Sequence, residues 1–401
     1  MIENSIVYRD FKGKYEYFPL AKAEGSLIWN RQGQRYIDFS SAWNVTNLGW
    51  NHPEISTTII EQTKKNTQSL LWGSDVIQEE YAQALTAALP KELNACIKET
   101  SGTESVEVAI KVARVYTERK KIIGFNAHYH GQLFAALALG YPQNSHPKLD
   151  PLVPEITPFA FPHNKISEAE WQKFLSDFEE ALSKRDVAAV VTEPGIITGW
   201  GSTLLAYPGY LRRLRELTTK YGTLLIVDEV GSGFSRTGKL FAIEHEGVVP
   251  DMIALAKGIS NGTAAIGAVV GKSTILEKAF SESILVSTFG WTPIACAAAL
   301  KTLQIHIRDK TWEMAEQKGN YIKEKLEAQI GENLVEVKGM GLEIGAQFKD
   351  AETCARVQKA CFKDGLHVIV GSGSNMQIMP PLTISQGLLD EGLDILIRNL
   401  K

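Results

Sequence analysis

Two hydrophobic rhythms alternate through the middle of the chain. One is a set of short apolar runs rich in β-branched residues: Lys121–Phe125, Val187–Thr192, Leu224–Val227, Met252–Leu255 and Ile266–Val270. Their apolarity is continuous rather than alternating, the pattern of strands covered on both faces. The other rhythm falls between them. Over Glu104–Arg119 the residues Val106, Ala109, Ile110 and Ala113 recur at i, i+3, i+4 and i+7, one face of a helix. Over Tyr210–Tyr221, Leu211, Leu214 and Leu217 repeat that face more narrowly, and Gly222 supplies a stop. Strand and helix in turn predict an α/β fold with a mainly parallel sheet and helices on both faces. The two ends read differently. Residues 26–38 alternate around Gln32-Gly33-Gln34 and predict a hairpin. Beyond about residue 295 the spacing predicts helices over Thr311–Gln329, Ala351–Lys363 and near Leu388–Leu400, with a glycine-rich strand pair at 339–347 and 366–371. Hairpin and tail together predict a smaller α+β domain.

Composition narrows the class. The chain has 401 residues, 44% hydrophobic and 22% charged, which excludes a mostly disordered protein and predicts one large domain with a smaller one. Its 42 basic and 46 acidic side chains leave a net charge of −4, no footprint for nucleic acid or an anionic membrane. No apolar run approaches the ~20 residues of a spanning helix. Cys96, Cys296, Cys354 and Cys361 are scattered, and the first residues carry neither a signal-peptide core nor a transit pattern. A cytoplasmic protein with reduced thiols is the expectation. The eight histidines recur at no metal-ligand spacing, so no metal site is expected.

In open parallel sheets ligands sit at the carboxyl ends of the strands, so chemistry is sought there. Asp228 and Glu229 follow one apolar run; Asp is also a common cap. Lys257 follows another, flanked by the small residues Ala256, Gly258, Ser260 and Gly262. Most lysines are solvated surface groups. One forced into a partly dry pocket loses basicity and becomes a nucleophile toward carbonyls. An acid opposite it suits a pyridoxal phosphate ring, whose nitrogen must stay protonated. Ser101-Gly102-Thr103 precedes a helix and gathers backbone N–H groups and hydroxyls as a phosphate cradle would, though the same tripeptide serves as an ordinary N-cap. Tyr129, in Asn126-Ala127-His128-Tyr129-His130-Gly131, could stack on a ring or simply pack at a strand end.

These residues carry a resemblance. Residues 224–262, LLIVDEVGSGFSRTGKLFAIEHEGVVPDMIALAKGISNG, resemble in order and spacing the pattern of the class III pyridoxal-phosphate aminotransferases. Matches run from Gln34-Arg35-Tyr36-Ile37-Asp38 and Leu48-Gly49-Trp50-Asn51-His52-Pro53 to Met379-Pro380-Pro381-Leu382. The resemblance implies the aspartate-aminotransferase-like fold: a seven-stranded sheet in a large cofactor domain, 49–294, with residues 1–48 and 295–401 forming the small domain. It implies that Lys257 is the internal-aldimine lysine and proton carrier, and Asp228 the partner of the pyridine nitrogen. Val230 and Tyr129 would cover the two ring faces. Ser101, Gly102 and Thr103 would hold the phosphate, joined by Thr288 from the other subunit of a homodimer with shared active sites. His130 and Glu193 would stand around the ring, and Arg236 would be structural.

Three positions depart from that pattern. Members that handle α-carboxylates carry an arginine where this chain has Gln377, and many gate it with a glutamate where this chain has Thr198. A neutral amide cannot form the bidentate charged clamp a carboxylate prefers. Gly231 stands where Gln or Met is common. Trp43, Asn44 and Trp72 fall where the family lines its substrate mouth. The expected activity is transfer of an amino group from an amine, amino-sugar or ω-amino donor to a carbonyl acceptor through pyridoxamine phosphate. An intramolecular aminomutase of the glutamate-1-semialdehyde type is the alternative, and a non-catalytic descendant of the fold stands behind both.

Overall fold

The computed structural model describes residues 18–70, 73–140, 147–149, 152–283, 285–371 and 373–401. Its centre is a seven-stranded sheet. From edge to edge the strands are Ala95–Glu99, Gly267–Gly271, Met252–Leu255, Leu224–Asp228, Val187–Thr192, Lys121–Phe125 and Ile156–Phe159. Gly267–Gly271 runs antiparallel to both neighbours and the other pairings are parallel. The mainly parallel α/β architecture read from the sequence is therefore the one observed.

Continuous apolar runs arise because each strand feeds two cores. Ile123, Val190, Leu225 and Ile253 pack into one buried cluster, together with Tyr210, Leu214 and Leu217 of the helix Tyr210–Tyr221. Their chain neighbours Ile122, Val191, Ile226 and Met252 point the other way, into a cluster shared with Val106, Ala109, Ile110 and Ala113 of the helix Gly102–Thr117. Side chains on successive strand residues face opposite sides, so a strand covered twice must be apolar at every position. The tight fit is visible at Gly124, where a Cβ would stand 2.1 Å from the Leu139 carbonyl oxygen. Gly124→Ala must push the backbone of Phe134–Gly140 outward, and is expected to cost at least about 2 kcal/mol. Urea denaturation with an unchanged slope and a lower midpoint is the expected result; a midpoint within error of the parent would refute it.

The chain ends join in a third core. Antiparallel strands Leu20–Glu24, Leu27–Asn30 and Arg35–Asp38 form a sheet with Leu366–His367, which pairs in parallel with Arg35–Asp38. Ile37 and Phe39 pack with Ile322, Ile344, Val357 and Leu393 from the C-terminal part. The expected strand pair of 339–347 with 366–371 is rearranged. Leu334–Met340 and Glu343–Phe348 form a hairpin turning at Gly341, whose φ of 53° suits glycine. Glu343–Phe348 then pairs with Asn375–Ile378, and that strand with Ile369–Val370. No helix among the described residues is long and apolar enough to cross a membrane.

Candidate active site

Five loops leave the carboxyl ends of parallel strands and meet around a cavity of about 410 Å³. Asp228 is the last residue of Leu224–Asp228, Glu193 directly follows Val187–Thr192, and Lys257 opens a short 3-10 turn after Met252–Leu255. Tyr129 and His130 come from the loop after Lys121–Phe125, and Ser101 to Thr103 from the turn into the helix Gly102–Thr117. All of these residues, with Val230, line the cavity.

The acids are fixed by neighbours rather than left free. Asp228 Oδ2 lies 2.7 Å from His130 Nδ1, and Oδ1 accepts the Val230 N–H at 2.8 Å. Glu193 accepts the Tyr129 N–H at 3.2 Å on Oε1, and the Thr198 N–H and hydroxyl at 2.8 and 3.0 Å on Oε2. Burial, reinforced by the Asp228 charge, pushes Glu193 up to about 6. His128 Nδ1 accepts the Glu193 N–H at 3.3 Å. Lys257 keeps some surface toward the cavity, yet its surroundings remove most of its water. Burial holds its amine below the usual lysine range, opposed by Asp228, Glu193 and Glu343. Its φ of 49° is a left-handed conformation rare for a side chain with a Cβ, the kind of strain found at functional sites. Glu229 has a different task, accepting the Ala242 and Ile243 N–H groups at 2.7 Å each. Arg236 is structural, as expected: it is wholly buried and donates to the carbonyls of Leu342 and Pro380 and to Asn47.

Pyridoxal phosphate fits this set. Ser101 Oγ caps the helix through the Glu104 N–H at 3.2 Å, leaving other first-turn donors at the cavity. A Cβ on Gly102 would stand 2.7 Å from Val230 Cγ1, and one on Gly131 would stand 2.1 Å from Thr103 Oγ1, so the loops approach as only glycine allows. His130 Nε2 is buried without a partner, a polar atom free for a ligand.

Not every expected residue reaches the cavity. Thr288 lines an adjoining depression with Thr100, Glu104 and Phe289, and is not on the cavity wall. Trp72 lies outside the described residues. Trp43 and Gln377 stand behind the wall: the Trp43 indole donates to Gln377 Oε1 at 2.9 Å. Gln377 Nε2 donates to Glu343 Oε1 at 2.8 Å and to the Thr198 carbonyl at 3.2 Å. Glu343, an acid that sequence reasoning missed, is wholly buried, and burial pushes it up to about 7. The available signal was one charged residue in the otherwise uncharged strand Glu343–Phe348.

Two of the departures from the family pattern are one packing event. A Cβ on Gly231 would stand 2.0 Å from Thr198 Oγ1. Gly231→Ala is expected to rotate Thr198 off Glu193 and weaken cofactor binding about tenfold, the scale of one or two buried hydrogen bonds. Titration of the apoprotein measures this, with Gly231→Ala/Thr198→Ala expected to recover most of the loss; no loss in the single variant would refute the coupling.

A mainly parallel sheet that brings a half-buried lysine, a fixed aspartate and a helix N-terminus to the wall of one cavity defines a pyridoxal-phosphate enzyme. More particularly, the chain belongs to the class-III aminotransferases, whose family profile matches residues 11–400. The acetylornithine aminotransferase of Methanopyrus kandleri is 36% identical over 94% of this chain and 94% of its own length. The acetylornithine aminotransferase of Streptococcus mutans is 32% identical over 94% of each. Among solved structures, ornithine aminotransferase from Toxoplasma gondii superposes with a TM-score of 0.88 at 26% identity, covering 96% of this chain and 90% of that one. An (S)-enantioselective omega-transaminase from Thermomicrobium roseum gives 0.88 at 27% identity, covering 100% and 96%. The cofactor is pyridoxal 5'-phosphate and the reaction is transamination between an amine donor and a carbonyl acceptor. These similarities do not favour the aminomutase alternative.

Proposed function

We propose that this aminotransferase takes its amino group from an amine, an amino sugar or an ω-amino donor with no carboxylate at the Gln377 end. The observation that carries the reading is the Gln377 amide itself. It is neutral, wholly buried and engaged at both ends by Trp43, Glu343 and Thr198, so it offers an incoming carboxylate nothing.

Pyridoxal phosphate, when bound, supplies an aldehyde that condenses with amines and a ring that stabilises negative charge on the neighbouring carbon. The chain's residues do the rest. Lys257 Nζ would hold the cofactor covalently, and its amine, when free, would carry a proton between the donor carbon and the cofactor side. A lysine held below its usual basicity is suited to that exchange. Asp228 keeps a proton on the ring nitrogen, and His130 holds Asp228 in place. Tyr129 and Val230, both on the cavity wall, would cover the ring faces. Ser101, Gly102 and Thr103 hold the phosphate, and Glu193 orients the surrounding loop. Thr288 completes the phosphate site of a second copy, making a homodimer with shared active sites. Exposed Val286 and Phe289 beside it favour such a contact. Residues 49–294 form the cofactor domain, residues 1–48 and 295–401 the small domain, and the enzyme works in the cytoplasm.

A half-reaction screen tests the reading. Holoenzyme mixed with amines and ω-amino compounds is expected to lose its cofactor–lysine absorbance and release a carbonyl product. Reaction only with α-amino acids would refute the donor class, and turnover without any added acceptor would revive the aminomutase.

A further inference from the structure

The proposed site gives the cofactor two points of attachment, and they leave different strands. The Ser101–Thr103 turn follows Ala95–Glu99, and Lys257 follows Met252–Leu255. Between those strands lies Gly267–Gly271, which runs antiparallel to both and begins at this end of the sheet. Neighbouring strands sit about 4.8 Å apart, so the two attachments leave strands about 10 Å apart. That span has to match a ligand of fixed length.

Ser105, wholly buried one turn into the helix Gly102–Thr117, bridges the span. Its Oγ donates to the Ser101 carbonyl at 2.9 Å and lies 3.4 Å from the carbonyl of Leu255, two residues before Lys257. A serine bonded to the carbonyl four residues back is common in helices and by itself means little. Here the hydroxyl also reaches the strand that carries the lysine, and the strand in between leaves it room. Gly267 is the first residue of that middle strand. A Cβ on it would stand 2.4 Å from the Ser101 carbonyl oxygen and 2.6 Å from Ser105 Oγ, where the bridge runs. The Trp291 indole holds Gly267 in place by donating to its carbonyl at 2.8 Å. Nearer the cavity the same two loops meet again: a Cβ on Gly102 would come to 3.4 Å from Ala256 Cβ. Ser105, Gly267 and Trp291 do not line the cavity, so they act on a ligand there only through Ser101 and Lys257.

We infer that Ser105 is a positioning residue that sets the span between the phosphate turn and Lys257, so that one cofactor molecule engages both at once. Two attachments on one ligand reinforce each other only when their spacing matches it. The inference rests on the phosphate and lysine roles proposed above.

The test titrates apoenzyme with pyridoxal phosphate and with pyridoxal, which keeps the aldehyde but lacks the phosphate. Absorbance and fluorescence report binding, and melting curves confirm folding. The parent is expected to bind pyridoxal phosphate much more tightly than pyridoxal. Ser105→Ala is expected to fold, because alanine is the better helix former and the residue 105 N–H, at 3.0 Å, still serves the Ser101 carbonyl. It is expected to weaken pyridoxal phosphate about fivefold, the fold-change of one hydrogen bond. Pyridoxal, attached through Lys257 alone, is expected to bind unchanged within error. In the Lys257→Ala background only the phosphate turn holds the ligand, and there Ser105→Ala is expected to cost pyridoxal phosphate nothing. If Ser105→Ala does not fold, Ser105→Cys, a weaker donor of similar shape, serves in the same comparison. Unchanged affinity for pyridoxal phosphate, an equal loss for pyridoxal, or the same loss without Lys257 overturns the inference and leaves the phosphate reading standing. A parent that binds both compounds equally well sinks the phosphate reading, and the inference with it.

Discussion

Lys257→Ala should yield a folded protein whose transamination rate is at least about 10³-fold lower, the scale lost when a nucleophile and proton carrier are removed together. No other described lysine lines the cavity, so no second amine substitutes for it. The fold should tolerate the change, because the flanking Ala256, Gly258 and Ser260 already make this a small-residue turn. Stability should move in the opposite direction from activity. Burial holds the folded-state pKa of Lys257 below its unfolded value, so below the unfolded value near 10.5 the lysine opposes folding. The apoprotein of the variant should therefore melt no lower than the parent at neutral pH, with any gain vanishing as pH approaches that value. Steady-state rates, the cofactor–lysine absorbance and melting curves at several pH values measure all three effects. Turnover within tenfold of the parent would defeat the assignment of Lys257.

What the sequence could reveal depended on how completely each element is buried. The three central strands Val187–Thr192, Leu224–Asp228 and Met252–Leu255 are buried at every position and were legible as apolar runs. Both edge strands escaped notice. Ala95–Glu99 carries Lys98 and Glu99, and Ile156–Phe159 contains Pro158, which an edge tolerates because one side of the strand needs no ladder donor. The site divided in the same way. Lys257, Asp228 and the Ser101–Thr103 turn are local signals tied to strand ends, and they do converge on one cavity. Glu343 meets Gln377 through strand pairing, and Asn44 through a left-handed turn more than 290 residues away. Neither periodicity nor motif encodes that meeting. It follows from the register of Glu343–Phe348 on Asn375–Ile378, which a one-residue slip would turn to the other face.

Asp228→Asn should lower the half-reaction rate by about 10²–10³-fold, the range found when one fixed electrostatic partner is removed from a reacting centre. The substitution isolates charge from shape. Asparagine can still accept the Val230 N–H on its oxygen, and its amide can donate to His130 Nδ1, whose own proton can move to the unpartnered Nε2. What disappears is the negative charge, held at 3% exposure, that on the proposed reading would keep a proton on the ring nitrogen. Cofactor content should therefore stay near normal while the rate falls, because Lys257 and the Ser101–Thr103 turn are untouched. A cofactor analogue methylated at the ring nitrogen carries its positive charge permanently and needs no carboxylate to hold a proton. Loading Asp228→Asn with that analogue should recover at least about tenfold of the lost rate, since a fixed charge replaces a tuned one. A variant that keeps its rate with the natural cofactor, or gains nothing from the methylated one, would show that Asp228 serves the loop geometry through His130 and Val230 rather than the chemistry of the ring.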